Sequence, residues 1–349
     1  MSTRTPRDLT QGPIGRNLLL FALPILGGNI AQSLNGSVNA VWIGRHLGED
    51  ALTAAANANN IMFFLLGSMF GLGMAASILI AQAMGARDTD QARRTMGSSA
   101  TFFIGLSVLI AIGGWWLARH LLAWMGTPAP SLPLAEAYLR VIFLAMPALY
   151  AFAFLAAALR GAGDSRTPFR FLLVAVLLDI AFNPLLIFGI GPFPKLGIAG
   201  SAWATLLSQT LALAALLLHL RHKRHVLWLG RKDAALLLPQ PRIVQALVLK
   251  GVPMGLQMML ISLAMIAMMT MVNGFGTATA AGYGAALQLW TYVQMPAMAI
   301  GAACSSMAAQ NVGAGRWDRV DATAWTGVGF NFLLTGALIA PLILLDRWT

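Results

Sequence analysis

Ala81-Gln82-Ala83-Met84-Gly85-Ala86 returns 228 residues later as Ala309-Gln310-Asn311-Val312-Gly313-Ala314. Pro24 finds a counterpart in Pro253 at nearly the same offset. In each copy the proline lies just inside a long apolar segment, and the Ala-Gln…Gly-Ala stretch closes the next one before a basic loop. Self-similarity at a fixed offset marks a duplicated architecture. Six apolar segments separate the copies, and an even number gives both halves the same orientation across a membrane. Parallel repeats of this kind are a transporter architecture, with substrate handled between the halves.

The segments themselves follow from length and composition. Crossing the hydrocarbon core takes about 20 mostly apolar residues, and nine stretches qualify, at 18–43, 53–83, 96–123, 134–159, 169–191, 197–219, 243–273, 279–311 and 322–345. Of the 349 residues 58% are apolar and 10% charged, against about 25% charged in a soluble domain. That is too little charge to cover a water-facing surface, and too much apolar surface for a disordered chain. A single cysteine, Cys304, excludes a disulfide scaffold. Strand alternation is absent, which disfavours a β-barrel. The fold expected is all-α, a polytopic transmembrane helix bundle.

The net charge of +11 would suggest nucleic acid in a polar protein. Among long apolar runs it points instead to loops lying against an anionic leaflet, with lipid rather than nucleic acid as partner. With the N-terminus placed inside, eighteen of the 23 Lys and Arg fall on the inner side, Arg4 and Arg7 among them, and five outside, including Arg347. The positive-inside rule then makes the N-terminus cytoplasmic in a multi-pass protein of the cell (inner) membrane. The first segment is too long for a signal-peptide core and lacks a cleavage pattern, so it reads as a retained helix.

The organisation expected is a six-helix lobe at 1–221, a basic cytoplasmic linker at 222–242, and a partial second lobe of about three helices at 243–349. Lys223, Arg224, Arg231 and Lys232, followed by Pro239 and Pro241, give the linker its character. Thr349 corresponds by the repeat offset to Leu121, at the end of the third helix, so truncation is the expectation. His219, His222 and His225 are spaced by three, but lack carboxylate or thiolate partners and read as a basic interfacial segment.

Of the 12 acidic residues, only Asp179 lies deep in a span. An aspartate at a helix centre costs about 2.5–3.5 kcal/mol on insertion scales, so such a residue usually faces a cavity and binds or relays a cation. Asn183 follows one turn later on the same face, and Pro184 frees a backbone carbonyl nearby. In the first helix Gly28, Gln32, Asn35 and Asn39 form one stripe, which must turn away from lipid. It can wall a hydrated cavity or act as polar glue between helices. Thr205 and Gln209 add polar groups in the sixth helix. Gln257, Tyr283, Gln288, Tyr292 and Gln294 supply hydrogen-bonding and aromatic groups in the second half. Catalytic constellations and a phosphate-cradling loop are both missing from the pattern, so an enzyme is not expected. Energy would come from an ion gradient.

Several stretches together resemble the multidrug and toxic compound extrusion (MATE) family: Leu23-Pro24-Ile25-Leu26, Val41-Trp42-Ile43-Gly44, the 81–85 motif, Leu159-Arg160-Gly161-Ala162-Gly163-Asp164, Asn183-Pro184-Leu185-Leu186-Ile187-Phe188-Gly189, and Gly197-Ile198-Ala199-Gly200-Ser201-Ala202-Trp203-Ala204-Thr205. The resemblance implies two lobes in a V around a central cavity, and a monomer that exports cationic or amphipathic drugs in exchange for H⁺ or Na⁺ without a cofactor. It carries the cation-coupling role to Asp179, Asn183, Asn39 and Thr205, and a substrate-facing role to Gln32, Asn35, Gln257, Tyr283, Gln288 and Tyr292. The family pattern is departed from at Asn39, where an Asp is common, and in the order Asp179 then Asn183. Ile261 stands near the place of a Glu found in one branch. A lipid-linked saccharide or lipid flippase of the same superfamily is the alternative, disfavoured because basic residues are absent from span centres. A non-transporting truncated membrane protein is the third reading.

Overall fold

The computed structural model describes residues 8–345; Arg4, Arg7 and Arg347 of the charge bias lie outside them. Nine α-helices follow in order among the described residues: α1 (Ile14–Leu47), α2 (Glu49–Gly85), α3 (Thr89–Trp124), α4 (Leu132–Gly161), α5 (Arg166–Phe188), α6 (Ile198–Lys223), α7 (Pro241–Asn273), α8 (Thr277–Gly313) and α9 (Trp317–Leu345). A 3₁₀ helix, Arg231–Leu237, interrupts the segment between α6 and α7. Most helices outrun the expected spans. At 1.5 Å per residue, the 37 residues of α2 reach ~55 Å, well beyond a hydrocarbon core of ~30 Å. Local chemistry sets the ends: the Asp88 carboxylate accepts Gln91 N at 2.8 Å to start α3, and Gly189, at φ 72°, closes α5 in the left-handed region.

Among the described residues, eight of the helices, all but α8, are long and apolar enough to cross a membrane. The expected ninth span at 279–311 is a full-length helix, but Gln288, Gln294, Pro296 and Gln310 lower its apolarity. Large apolar side chains point outward, among them Trp116 at 77% and Phe332 at 78% exposure. A bundle that turns such residues outward is built for lipid rather than water. The chain is a multi-pass membrane protein.

The main core lies among α2, α3, α4 and α6, where Phe103 stacks on Phe154 at 4.8 Å and Tyr150 donates to Leu65 O at 3.0 Å. Helix α2 also packs along α7 and α8, and α1 along α8. A second apolar cluster joins Leu18 and Phe21 of α1 to Ile300, Ala303 and Met307 of α8.

At this junction the two copies of the repeat face each other. A Cβ on Gly85 would meet Gln310 O and lie 2.7 Å from its carbonyl carbon; one on Gly313 would meet Gln82 O and lie 2.7 Å from its carbonyl carbon. The contact is reciprocal, as a two-fold relation between duplicated helices demands. Only glycine lets the backbones approach so closely. The glutamine of the second copy adds a clasp: Gln310 donates to Gly161 O at 2.9 Å and accepts Leu9 N at 3.1 Å. The segment before α1 is fastened further by Arg316 to Thr10 O at 2.7 Å and Arg319 to Gly12 O at 2.9 Å.

Candidate functional site

Asp179 is 3% exposed, and α1, α5 and α6 converge on it. Its Oδ2 accepts Asn35 Nδ2 at 2.9 Å, Asn39 Nδ2 at 3.0 Å and Asn183 Nδ2 at 3.3 Å. Its Oδ1 accepts Thr205 Oγ1 at 3.0 Å and Ser208 Oγ at 3.3 Å. The two α1 donors stand four residues apart and the two α6 donors three, each pair on one helix face, while the α5 donor Asn183 follows Asp179 by one turn. Asn183 also donates to Asn39 Oδ1 at 2.9 Å and to Asp179 O at 2.8 Å, the latter tying its amide to the preceding turn. Its two amide hydrogens must therefore be shared among three acceptors.

Close helix approach makes the cluster possible. On α1, a Cβ at Gly27 would fall 2.9 Å from Phe169 Cε2, and one at Gly28 would fall 3.0 Å from Leu172 Cδ2, both on α5. Two turns further along, this brings the Asn35 and Asn39 amides to the carboxylate.

The electrostatics are one-sided. Five uncharged donors surround one carboxylate, and among the described residues no Lys or Arg forms an ion pair with it. Hydrogen bonds to a charged group contribute about 1.5–3 kcal/mol each. Two of them therefore match the whole insertion cost of about 2.5–3.5 kcal/mol. Two acceptors at the site are idle: Asn35 Oδ1 and Asn183 Oδ1 are buried without a donor. Turning either amide over would present that oxygen beside the carboxylate. A carboxylate with neutral oxygens suits a small hard cation, and the same carboxylate can instead take a proton.

Sequence reasoning placed Asp179, Asn183, Asn39 and Thr205 together, and the structure brings all four into contact. Asn35, expected on a cavity wall, joins this cluster instead. Gln32, on the same stripe, is exposed. Gln257 and Gln288 are exposed and Tyr283 is half-buried. Tyr292 is 47% exposed and accepts Gln288 Nε2 at 3.2 Å within α8. Among the described residues, no hydrogen bond runs from Gln32, Gln257, Tyr283, Gln288 or Tyr292 to the Asp179 cluster. Ser208 was missed, although its spacing of three from Thr205 was the available signal. Asp164, in the 159–164 stretch of the resemblance, caps α5: its carboxylate accepts Arg166 N at 3.1 Å, Thr167 N at 3.0 Å and Thr167 Oγ1 at 2.6 Å.

The MatE family model matches residues 24–185 and 253–348. The chain belongs to the MatE family. The two matched blocks open on Pro24 and Pro253, the prolines that mark the repeat. Among MatE relatives, the probable multidrug resistance protein YoeA of Bacillus subtilis (strain 168) is 36% identical over 326 residues, covering 93% of this chain and 70% of that protein. An FAD transporter of Shewanella oneidensis is 29% identical over 338 residues, covering 96% and 73%. The solved outward-facing structure of a multidrug resistance MATE family transporter superposes with a TM-score of 0.87 at 22% identity, covering 97% of this chain and 74% of that one. That likeness establishes a shared fold.

Proposed function

We propose that this MatE protein is a secondary antiporter that exports small cationic or amphipathic compounds, with H⁺ or Na⁺ exchanged at Asp179. The observation that carries the reading is the buried carboxylate held by five neutral donors and matched, among the described residues, by no counter-charge. A cation arriving there gains full Coulomb attraction in a low-dielectric setting. It also competes with Asn35 and Asn39 for Oδ2. Helix α1 is thus gripped in its second half by Asp179 and near its start by α8. Occupation of the carboxylate changes the first grip, which is the differential contact a two-state transporter needs. The N-terminus is assigned to the cytoplasm, so the reciprocal glycine junction closes the cytoplasmic end. Resistance-protein relatives support drug-like cargo; the FAD transporter relative makes a dinucleotide the rival to test.

The test is uptake into everted vesicles of a lipophilic cationic dye, or of FAD, under an imposed pH or Na⁺ gradient. Gradient-dependent dye uptake is expected, abolished by the matching ionophore. Uptake of either compound that ignores both gradients rejects the antiport reading.

Two substitutions refine it. Thr205→Val separates the ions. If the hydroxyl only donates to the carboxylate, it competes with a proton, and its removal lowers the proton concentration needed for half-maximal export. If its oxygen ligates sodium, removal raises the Na⁺ needed. The shift expected is roughly tenfold, from the strength of a charge-assisted hydrogen bond. Asn39→Asp replaces a donor to Asp179 Oδ2 with a second carboxylate oxygen. Two carboxylates at hydrogen-bond distance need a shared proton or cation. The variant should insert normally and show a steeper dependence on the coupling ion, measured by the same uptake; loss of insertion would contradict a hydrated site.

A further inference from the structure

At the end of the bundle where α2, α4 and α6 finish, the segment between α6 and α7 folds over the start of α3. Arg93 of α3 pairs with Asp233 of the 3₁₀ helix at 2.5 Å and donates to Trp228 O at 3.4 Å. Asp233 also accepts Gly230 N at 2.9 Å. Further along, Thr101 Oγ1 donates to Leu237 O at 2.6 Å and Ser98 Oγ to Leu238 O at 3.3 Å. The segment is thereby pinned to α3 as a flap, and it encloses an open cavity of about 990 Å³.

The lining of that cavity is electrostatically lopsided. Arg93, Arg221, Arg224 and Lys232 face it against Asp90 and Asp233, with His222 and His225 at its wall. Asp233 is taken by Arg93. Among the described residues no carboxylate lies within ion-pair distance of Arg221, Arg224 or Lys232. Three unpaired cations in one concavity repel one another and focus a positive potential on whatever enters. Arg224 is held there against backbone preference: at φ 45° it occupies the left-handed cap of α6, where glycine is unstrained and a side chain is not. A second cavity of about 550 Å³ adjoins the first, sharing Arg221, Trp228 and Gly230 and adding Leu229. Nearby Leu238 is 68% exposed. A tryptophan and an exposed leucine beside a basic pocket are the furnishings of a membrane–water interface.

We propose that this cavity binds a phosphate ester, gripped by Arg221, Arg224 and Lys232, and that the adjoining apolar cavity at Trp228 and Leu229 favours the headgroup of an anionic phospholipid over a soluble phosphate. The guanidinium groups supply paired donors to phosphate oxygens, and the lysine a point charge. The site lies far in sequence from Asp179 and shares no residue with it. An occupant bridging α6 and the flap would fasten the linker to the first six helices.

The experiment is native mass spectrometry of the full chain in a neutral detergent, supplied separately with phosphatidylglycerol, phosphatidylcholine and inorganic phosphate. Phosphatidylglycerol should be retained roughly tenfold more than phosphatidylcholine. The triple variant Arg221→Gln, Arg224→Gly, Lys232→Gln should lose that preference. Arg224→Gly alone removes one cation while relieving the backbone, so it should weaken retention with thermal stability kept. Neutralising Arg87, Arg166 and Lys250, exposed basic residues outside the cavity at the same end of the bundle, should leave retention unchanged. Inorganic phosphate bound by the parent chain and not by the triple variant, without any lipid preference, would support the phosphate site and assign it a soluble occupant. Equal phosphatidylglycerol and phosphate binding by the parent chain and the triple variant would overturn the proposal.

Discussion

Asp179→Asn abolishes gradient-driven export and leaves the protein folded in the membrane. The separation of these outcomes rests on the geometry of the site. The introduced amide keeps one oxygen to accept from Asn35, Asn39 and Asn183. Its nitrogen faces Thr205 and Ser208, whose hydroxyls rotate and can accept as readily as donate. Each polar group at the cluster therefore still finds a partner, and a buried charge that costs about 2.5–3.5 kcal/mol on insertion is removed. The relieved insertion cost opposes the weakening of five charge-assisted hydrogen bonds to neutral ones, so a cooperative thermal transition should persist with a modest shift in midpoint. Only the charge that attracts a proton or sodium is lost, so dye uptake into everted vesicles should fall to that of vesicles without the protein. Unchanged uptake at equal expression would remove Asp179 from the coupling mechanism. A collapsed thermal transition would make it a structural group instead.

The second large effect is expected at the repeat junction. Gly85→Ala and Gly313→Ala each drive a methyl group into the opposing backbone, Gln310 in one case and Gln82 in the other. Overpacking of this kind costs about 1–3 kcal/mol, and a backbone cannot rotate aside as a flexible side chain can. Gly105→Ala on α3 is the matched control, because nothing lies within 4 Å of the added Cβ. There the helix gains up to ~1 kcal/mol in propensity. Melting midpoints in detergent should fall for Gly85→Ala and Gly313→Ala and hold or rise for Gly105→Ala. The double variant should fall by less than the combined single effects, since one displacement of the two helix ends relieves both clashes. Equal midpoints for Gly85→Ala and Gly105→Ala would mean the helix ends are not in contact. If the proposed transport cycle parts these helix ends, the penalty falls on the closed arrangement, and export should decline with it.

Much of this was legible before any coordinates. The nine segments followed from runs of apolar residues, and the one that departs, α8, does so because Gln288, Gln294 and Gln310 are spread along it. Asp179 stood out because a carboxylate inside a span is expensive wherever it points. Asn183 and Asn39 followed from spacing and resemblance. What spacing could not reveal was rotation. Gln32 and Asn35 share a stripe on α1, yet Asn35 reaches Asp179 while Gln32 is exposed, an outcome that depends on where each falls against α5 and not on the stripe itself. Ser208 was hidden for a related reason: a serine in a span can satisfy itself on its own helix, so its presence alone carries little information.

The sequence by itself determined that the chain spans a membrane, that it is a duplication, and that one buried carboxylate needs compensation. These are properties of single residues and of periodicity, and each adds up along the chain without reference to neighbours. Tertiary structure alone decided which amides and hydroxyls supply that compensation, that the two repeat copies grip each other through reciprocal glycines, and that the linker's cations meet Arg93 around one cavity. Those outcomes depend on helix crossing points and rotations between residues from 26 to more than 140 positions apart, where a shift of a few ångströms replaces one partner with another.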